Sequence, residues 1–156
     1  MKASFLKKSL IAMIDSKIPV FVWGSPGVGK SSIIRQIAND KSIEFIDLRL
    51  SLLDPTDLRG IPFFDASNKS AVWAKPEFLP DTNSKAYGIL FLDEINSAPP
   101  TIQAAAYQLI LDRKIGEYTL PLNYAIVAAG NYESDRGVTY RMPTPFKSTS
   151  NSFEYN

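Results

Sequence analysis

The chain has 156 residues, 45% hydrophobic and 21% charged, which is the composition of one soluble globular domain with room for a real core. Its 17 basic and 16 acidic side chains leave a net charge of +1, so bulk electrostatics do not point to nucleic acid or another polyanion. Cysteine and histidine are both absent, which excludes disulfides, thiolate chemistry, Cys- or His-based metal sites and imidazole bases.

At the start, Lys2, Lys7 and Lys8 precede the apolar run Leu10-Ile11-Ala12-Met13-Ile14. The run is too short for a signal peptide, Asp15 closes it, and no small-residue cleavage site follows. Leu6, Leu10, Met13 and Ile14 instead mark one face of an amphipathic helix. No stretch approaches a membrane span, so the expected location is the cytoplasm. Pro19-Val20-Phe21-Val22-Trp23 reads as a buried parallel strand. Residues 30–39 read as a helix carrying Ile33, Ile34, Ile37 and Ala38 on one side.

Between that strand and that helix stands Gly24-Ser25-Pro26-Gly27-Val28-Gly29-Lys30-Ser31, which matches G-x-x-x-x-G-K-S without a mismatch. Its glycines let successive main-chain N–H groups converge on one concavity, and the helix start adds unpaired N–H groups and the positive end of its dipole. Lys30 is expected to reach the β- and γ-phosphates and the Ser31 hydroxyl to ligate Mg²⁺. The phosphate-binding set is therefore Gly24, Ser25, Pro26, Gly27, Val28, Gly29, Lys30, Ser31 and Ser32. The bland alternative, a glycine-rich turn that happens to precede Lys-Ser, does not account for the strand and helix on either side.

Residues 43–48 form a second strand whose mixed polarity places it toward a sheet edge. Residues 51–64 read as a loop with a short helix, and 65–81 as irregular or hairpin-like, anchored by Trp73 and Phe78. Gly88-Ile89-Leu90-Phe91-Leu92 is a third strand ending in Asp93-Glu94. A helix is expected from residues 97–100 to about Arg113, a hairpin over 115–122, and a fourth strand over 124–129, closed by Gly130-Asn131. Residues 147–156 are serine- and asparagine-rich without a period and read as a frayed tail behind a domain of residues 1–146.

Strands alternating with helices predict an α/β fold with a mostly parallel sheet, in which ligands bind at the carboxyl ends of the strands. Gly24, Asp93 and Asn131 each fall just past such an end. An acidic pair at a strand end is by itself a solvated turn. Beside a phosphate loop it gains a use, with Asp93 in the Mg²⁺ shell next to Ser31 and Glu94 polarising the attacking water. For Asn131 two readings stand side by side: a plain Gly-Asn turn, or an amide that orients water against the γ-phosphate.

Taken together these residues resemble an AAA+ ATPase: a Walker A loop (Gly24 to Ser31), a Walker B segment (Leu90-Phe91-Leu92-Asp93-Glu94), then a sensor-1 asparagine (Asn131) after the next strand. Asp93-Glu94-Ile95-Asn96-Ser97-Ala98-Pro99-Pro100 is similar to the D-E-I-N-x-A-P-P segment of the MoxR-like branch. Tyr118-Thr119-Leu120-Pro121 resembles the end of the hairpin before sensor 1 there. The resemblance covers residues 18–145 and implies a P-loop NTPase three-layer sandwich with strand order 5-1-4-3-2. It further implies ATP hydrolysis at subunit interfaces of a homo-oligomeric ring, commonly a hexamer. Relatives of that branch act as chaperone-like remodelling factors beside a von Willebrand factor A-domain protein, and catalytic roles fall to Glu94 and Asn131.

The pattern departs after Arg141-Met142-Pro143-Thr144-Pro145, where Phe146-Lys147-Ser148-Thr149-Ser150 replaces the family text. The expectation is an AAA+ large subdomain incomplete at its C-terminus, without lid, trans-acting arginine or sensor-2 arginine, and with residues 20–23 on an open sheet edge. Arg136 and Arg141 are either neighbours of another subunit's nucleotide or solvated loop residues. Two classes of function follow: a Mg²⁺-dependent ATPase that remodels protein partners, or a nucleotide-binding assembly module with little turnover. Nucleic-acid remodelling lacks a basic stripe to support it.

Overall fold

The structure, a computed structural model, describes residues 3–132 and 151–154. Its centre is a five-stranded parallel sheet built from β1 (Val20–Trp23), β2 (Glu44–Arg49), β5 (Gly88–Asp93), β8 (Tyr124–Gly130) and β9 (Asn151–Glu154). The lateral order is β2-β5-β8-β1-β9, every neighbouring pair parallel. Counting only these five strands in chain order and reading from the β9 edge, the order is 5-1-4-3-2, as the resemblance implied.

Strand alternation sorts the core into two layers. Val20 and Val22 of β1, Ile89 and Phe91 of β5, and Ala125, Val127 and Ala129 of β8 face α1 (Ala3–Asp15) and α2 (Lys30–Asp40). These helices supply Leu6, Leu10, Ile14, Ile33, Ile34 and Ile37 to that layer. The intervening residues Phe21, Leu90, Leu92, Ile126 and Ala128 face the other way, against α4 (Pro100–Asp112) with Ile102, Ala106 and Leu109. The result is a helix–sheet–helix sandwich, the three-layer α/β fold. β5 and β8 are central and buried almost throughout, so they read as unbroken apolar runs. The mixed polarity of β2 fits its edge position, where Glu44, Asp47 and Arg49 are exposed.

Two small hairpins hang from this frame. A 3-10 turn at Leu50–Leu52 and α3 (Pro55–Arg59) lead from β2 into β3 (Ile61–Asp65) and β4 (Ser70–Ala74). The segment expected to be a loop to residue 64 thus enters its hairpin at Ile61, with Pro62 opposite Trp73 and Phe64 opposite Ala71. β6 (Lys114–Ile115) and β7 (Tyr118–Thr119) form the second hairpin, placing Ile115 and Tyr118 under α4. Among the described residues no helix is long and apolar enough to cross a membrane.

One expectation is corrected. Residues 151–154, read as part of a frayed tail outside the domain, form β9 and pair with β1 from Val20↔Asn151 to Trp23↔Glu154. The fifth-strand position is therefore filled, and β1 is not an open edge. The physical reason is that an edge strand is recruited by its neighbour's free main-chain N–H and C=O groups, which require no apolar period in its own side chains.

Candidate nucleotide-phosphate site

The loop between β1 and α2 turns through two left-handed glycines, Gly27 at φ 79° and Gly29 at φ 93°. A Cβ at either would meet nothing within 4 Å, so the demand for glycine comes from the backbone angle and not from crowding. Gly29 caps α2, and its carbonyl accepts the first helical bond from Ile33 N–H at 3.1 Å. Lys30, the first residue of α2, is only 6% exposed. Its ammonium donates to Gly24 O at 2.7 Å, Ser25 O at 2.9 Å and Asn131 Oδ1 at 3.1 Å. It thereby joins the loop to the end of β8.

At the end of β5, Asp93 Oδ1 accepts the Glu94 N–H at 2.8 Å. Burial holds the Asp93 carboxyl above the usual carboxylate range. The Glu94 N–H opposes that shift, the neighbouring Glu94 charge adds to it, and the Lys30 charge again opposes it. Glu94 itself lies in the left-handed region at φ 56°, which turns the chain into the 3-10 turn Ile95–Ser97. Its Oε2 accepts a hydrogen bond from Ser51 Oγ, and its Oε1 lies 3.9 Å from Arg49 Nε. Asn131 follows β8, with Gly130 O also receiving the Gly24 N–H at 3.3 Å.

A cavity of about 270 Å³ opens among these groups, lined by Pro26, Gly27, Gly29, Lys30, Ser31, Ser32, Arg49, Asp93, Glu94 and Asn131. Three of the expected loop residues lie outside that lining. Gly24 and Ser25 supply the carbonyls that hold Lys30, and Val28 N–H closes the loop on Ser25 O at 3.4 Å. A larger hollow of about 470 Å³ sits at the opposite, amino end of the strands, beside Glu44 and Tyr124. It has no glycine loop or helix N-terminus, so size alone does not mark the anion site.

The donor set suits a magnesium ion. The Ser31 hydroxyl and the Asp93 carboxylate line one cavity, and among the described residues no group of three or more carboxylates could hold a metal by itself. Mg²⁺ characteristically takes one or two protein oxygens and fills its octahedron with phosphate and water.

Two residues near the site, Arg49 and Ser51, went unremarked in the sequence, and a third, Asn96, was noted only as part of the 93–100 segment, with no role. Arg49 and Ser51 reach Glu94 from the end of β2, and Asn96 is buried against Asn131. Arg49 had a usable signal, since it sits at the carboxyl end of a strand in a parallel sheet. Asn96 was marked by the resemblance of the 93–100 segment, but its bond to Asn131 had no local signal, because an asparagine in a turn is ordinary. Arg136 and Arg141 lie outside the described residues.

Comparison with known proteins agrees with this architecture. The chain is 28% identical to the pathogenicity-locus protein WtsA of Pantoea stewartii subsp. stewartii over 134 residues, covering 78% of this chain and 40% of that protein. It is 29% identical over 108 residues to the replication factor C large subunit of Ignicoccus hospitalis, covering 69% of this chain and 21% of that one. Among solved structures, a candidate ATPase from Cytophaga hutchinsonii superposes with a TM-score of 0.70 at 18% identity, over 98% of this chain and 46% of that chain. NtrX from Brucella abortus in complex with ADP gives a TM-score of 0.60 at 18% identity, over 97% and 35%. These structural likenesses speak to the fold, and the chain spans less than half the length of each of these proteins. The model of the ATPase family associated with various cellular activities (AAA) matches residues 19–147, and the chain belongs to that family.

Proposed function

We propose that this chain binds Mg²⁺-ATP and hydrolyses it, as a MoxR-like member of its family that remodels protein partners. The observation that carries the reading is one cavity that gathers a glycine loop, a helix N-terminus, an ammonium, two carboxylates and an amide from the ends of three parallel strands. Each of those groups has a use in phosphoryl transfer, and no other function class needs all of them together.

The loop amides and the α2 N-terminus would receive the β-phosphate, with Lys30 exchanging its carbonyl partners for phosphate oxygens. Ser31 and Asp93 would hold Mg²⁺, which neutralises charge developing on the phosphates. Glu94 would polarise a water for in-line attack on the γ-phosphorus. The bond to the bridging oxygen of ADP breaks as the new P–O bond forms, and the water's proton passes to the carboxylate or to the released phosphate. Asn131 would hold that water or a γ-phosphate oxygen through its amide. Assembly into a ring and a von Willebrand factor A-domain partner belong to this proposal, resting on the resemblance of the 93–100 segment.

The experiment is a comparison of Mg-ATP binding and turnover in wild type and Glu94→Gln. The variant should bind as tightly as wild type and lose about 10²-fold or more in kcat, the usual contribution of a positioned base. Wild-type turnover no faster than that of Glu94→Gln would replace the hydrolase by the nucleotide-binding assembly module.

A further inference from the structure

Asn96 lies in the 3-10 turn behind Glu94 and is 1% exposed. The β5–β8 register ends at Leu92↔Ala128, while β8 runs on beside β1 to Trp23↔Gly130. Past that rung β5 parts from β8, its last residue Asp93 still pairing with Arg49 of β2, and beside β8 a side chain takes its place. Asn131 N–H donates to Asn96 Oδ1 at 3.0 Å, and Asn96 Nδ2 donates to Asn131 O at 2.6 Å. A primary carboxamide carries a donor and an acceptor side by side, as the N–H and C=O of one strand residue are, so one side chain supplies both bonds that a strand would have made. The approach is close: a Cβ on Gly130 would stand 3.1 Å from Asn96 Oδ1.

We propose that Asn96 is a positioning residue for hydrolysis, clamping the main chain of Asn131 so that its amide faces the cavity beside Lys30. The inference rests on the hydrolase reading of the site. The clamp joins the turn that carries Glu94 to the strand end that carries Asn131, so the two groups acting on water share one rigid unit. Without it the Asn131 main chain loses both bonds on its β5 side and is held, among the described residues, only through Gly130 O and its own side chain. A displacement of about 1 Å near the reacting atoms costs on the order of 10²-fold in rate. Nucleotide affinity is set chiefly by the loop amides and Lys30. Among the described residues the Asn96 side chain bonds only the main chain of Asn131, whose side chain is one of three oxygen partners of Lys30.

The test uses Asn96→Asp, which keeps the shape but sets a carboxylate oxygen against the Asn131 carbonyl, alone and combined with Asn131→Ala. Asn96→Asp should lower kcat about 10²-fold with the ATP Kd within threefold of wild type. In the Asn131→Ala background the same change should cost less than twofold, because no amide is left to position. An equal loss in both backgrounds, or a Kd that rises in step with the loss of kcat, would overturn the proposal. Deuterium exchange at the Asn131 main-chain amide supplies a readout independent of turnover. It should quicken at least tenfold in Asn96→Asp while Val127, within β8, is unchanged. Unaltered exchange at Asn131 also overturns the proposal. Wild-type turnover no faster than that of Glu94→Gln would instead sink the hydrolase reading, leaving exchange to decide the clamp.

Discussion

Replacing Lys30 by alanine is the perturbation with the clearest expected size. Before nucleotide arrives, its ammonium is already bonded to three oxygens, Gly24 O, Ser25 O and Asn131 Oδ1. Two charge-assisted bonds to phosphate are worth about 3–6 kcal/mol gross, at about 1.5–3 kcal/mol each. Leaving the three protein oxygens to water reduces this, because the cavity is open and they can be rehydrated. A net loss of about 2–4 kcal/mol remains, which is roughly 30- to 1000-fold in Kd. The assay can use Trp23, which adjoins Gly24 and is one of two tryptophans in the chain. The other, Trp73, is 46% exposed on the β3–β4 hairpin, so Trp73→Phe gives a clean background. Mg-ATP titrated into that variant and its Lys30→Ala derivative should separate the two curves by at least 30-fold. Curves within threefold of one another would refute the phosphate-loop assignment, since no other cation in the loop can substitute for Lys30.

Gly130→Ala should destabilise by about 1–3 kcal/mol through overpacking, because the new Cβ would stand 2.7 Å from the Trp23 ring. Thermal melting should fall by several degrees, and an unchanged midpoint would mean that the strand end yields more easily than its packing implies. A pH effect is expected at Tyr107, where burial pushes the phenol up to about 12 and the hydroxyl donates to Gln103 Oε1 at 3.0 Å. The neutral form is favoured in the fold, so this contribution is whole below about pH 10 and is lost as pH rises through the folded value. Denaturant unfolding of wild type and Tyr107→Phe should show wild type's advantage shrinking by about 2–3 kcal/mol between pH 9 and pH 12. Absorbance titration of the folded protein showing Tyr107 ionising near pH 10 would contradict it.

Much of this protein was legible one residue at a time. Short apolar runs and period-3.6 patterns located four strands of the sheet and the helices α1, α2 and α4, because burial on one or both faces writes itself directly into side-chain polarity. The glycine loop was equally plain, since positive φ at Gly27 and Gly29 restricts the residue type locally. Asp93 and Asn131 could be placed at strand ends and, through the carboxyl-end rule and the strand order the resemblance implied, at one site with the glycine loop.

Tertiary structure decided what depends on main-chain partners rather than on side-chain pattern. β9 carries no period and exists because the flank of β1 offers unpaired peptide groups. Arg49 and Ser51 meet Glu94 because β2 and β5 are neighbours in register, a fact about sheet order. Asn96 bonds Asn131 because two strands part at the same height, which a separation of 35 residues along the sequence cannot announce. Local chemistry determined which groups could act on a phosphate, while the pairing of distant strands decided which of them stand together.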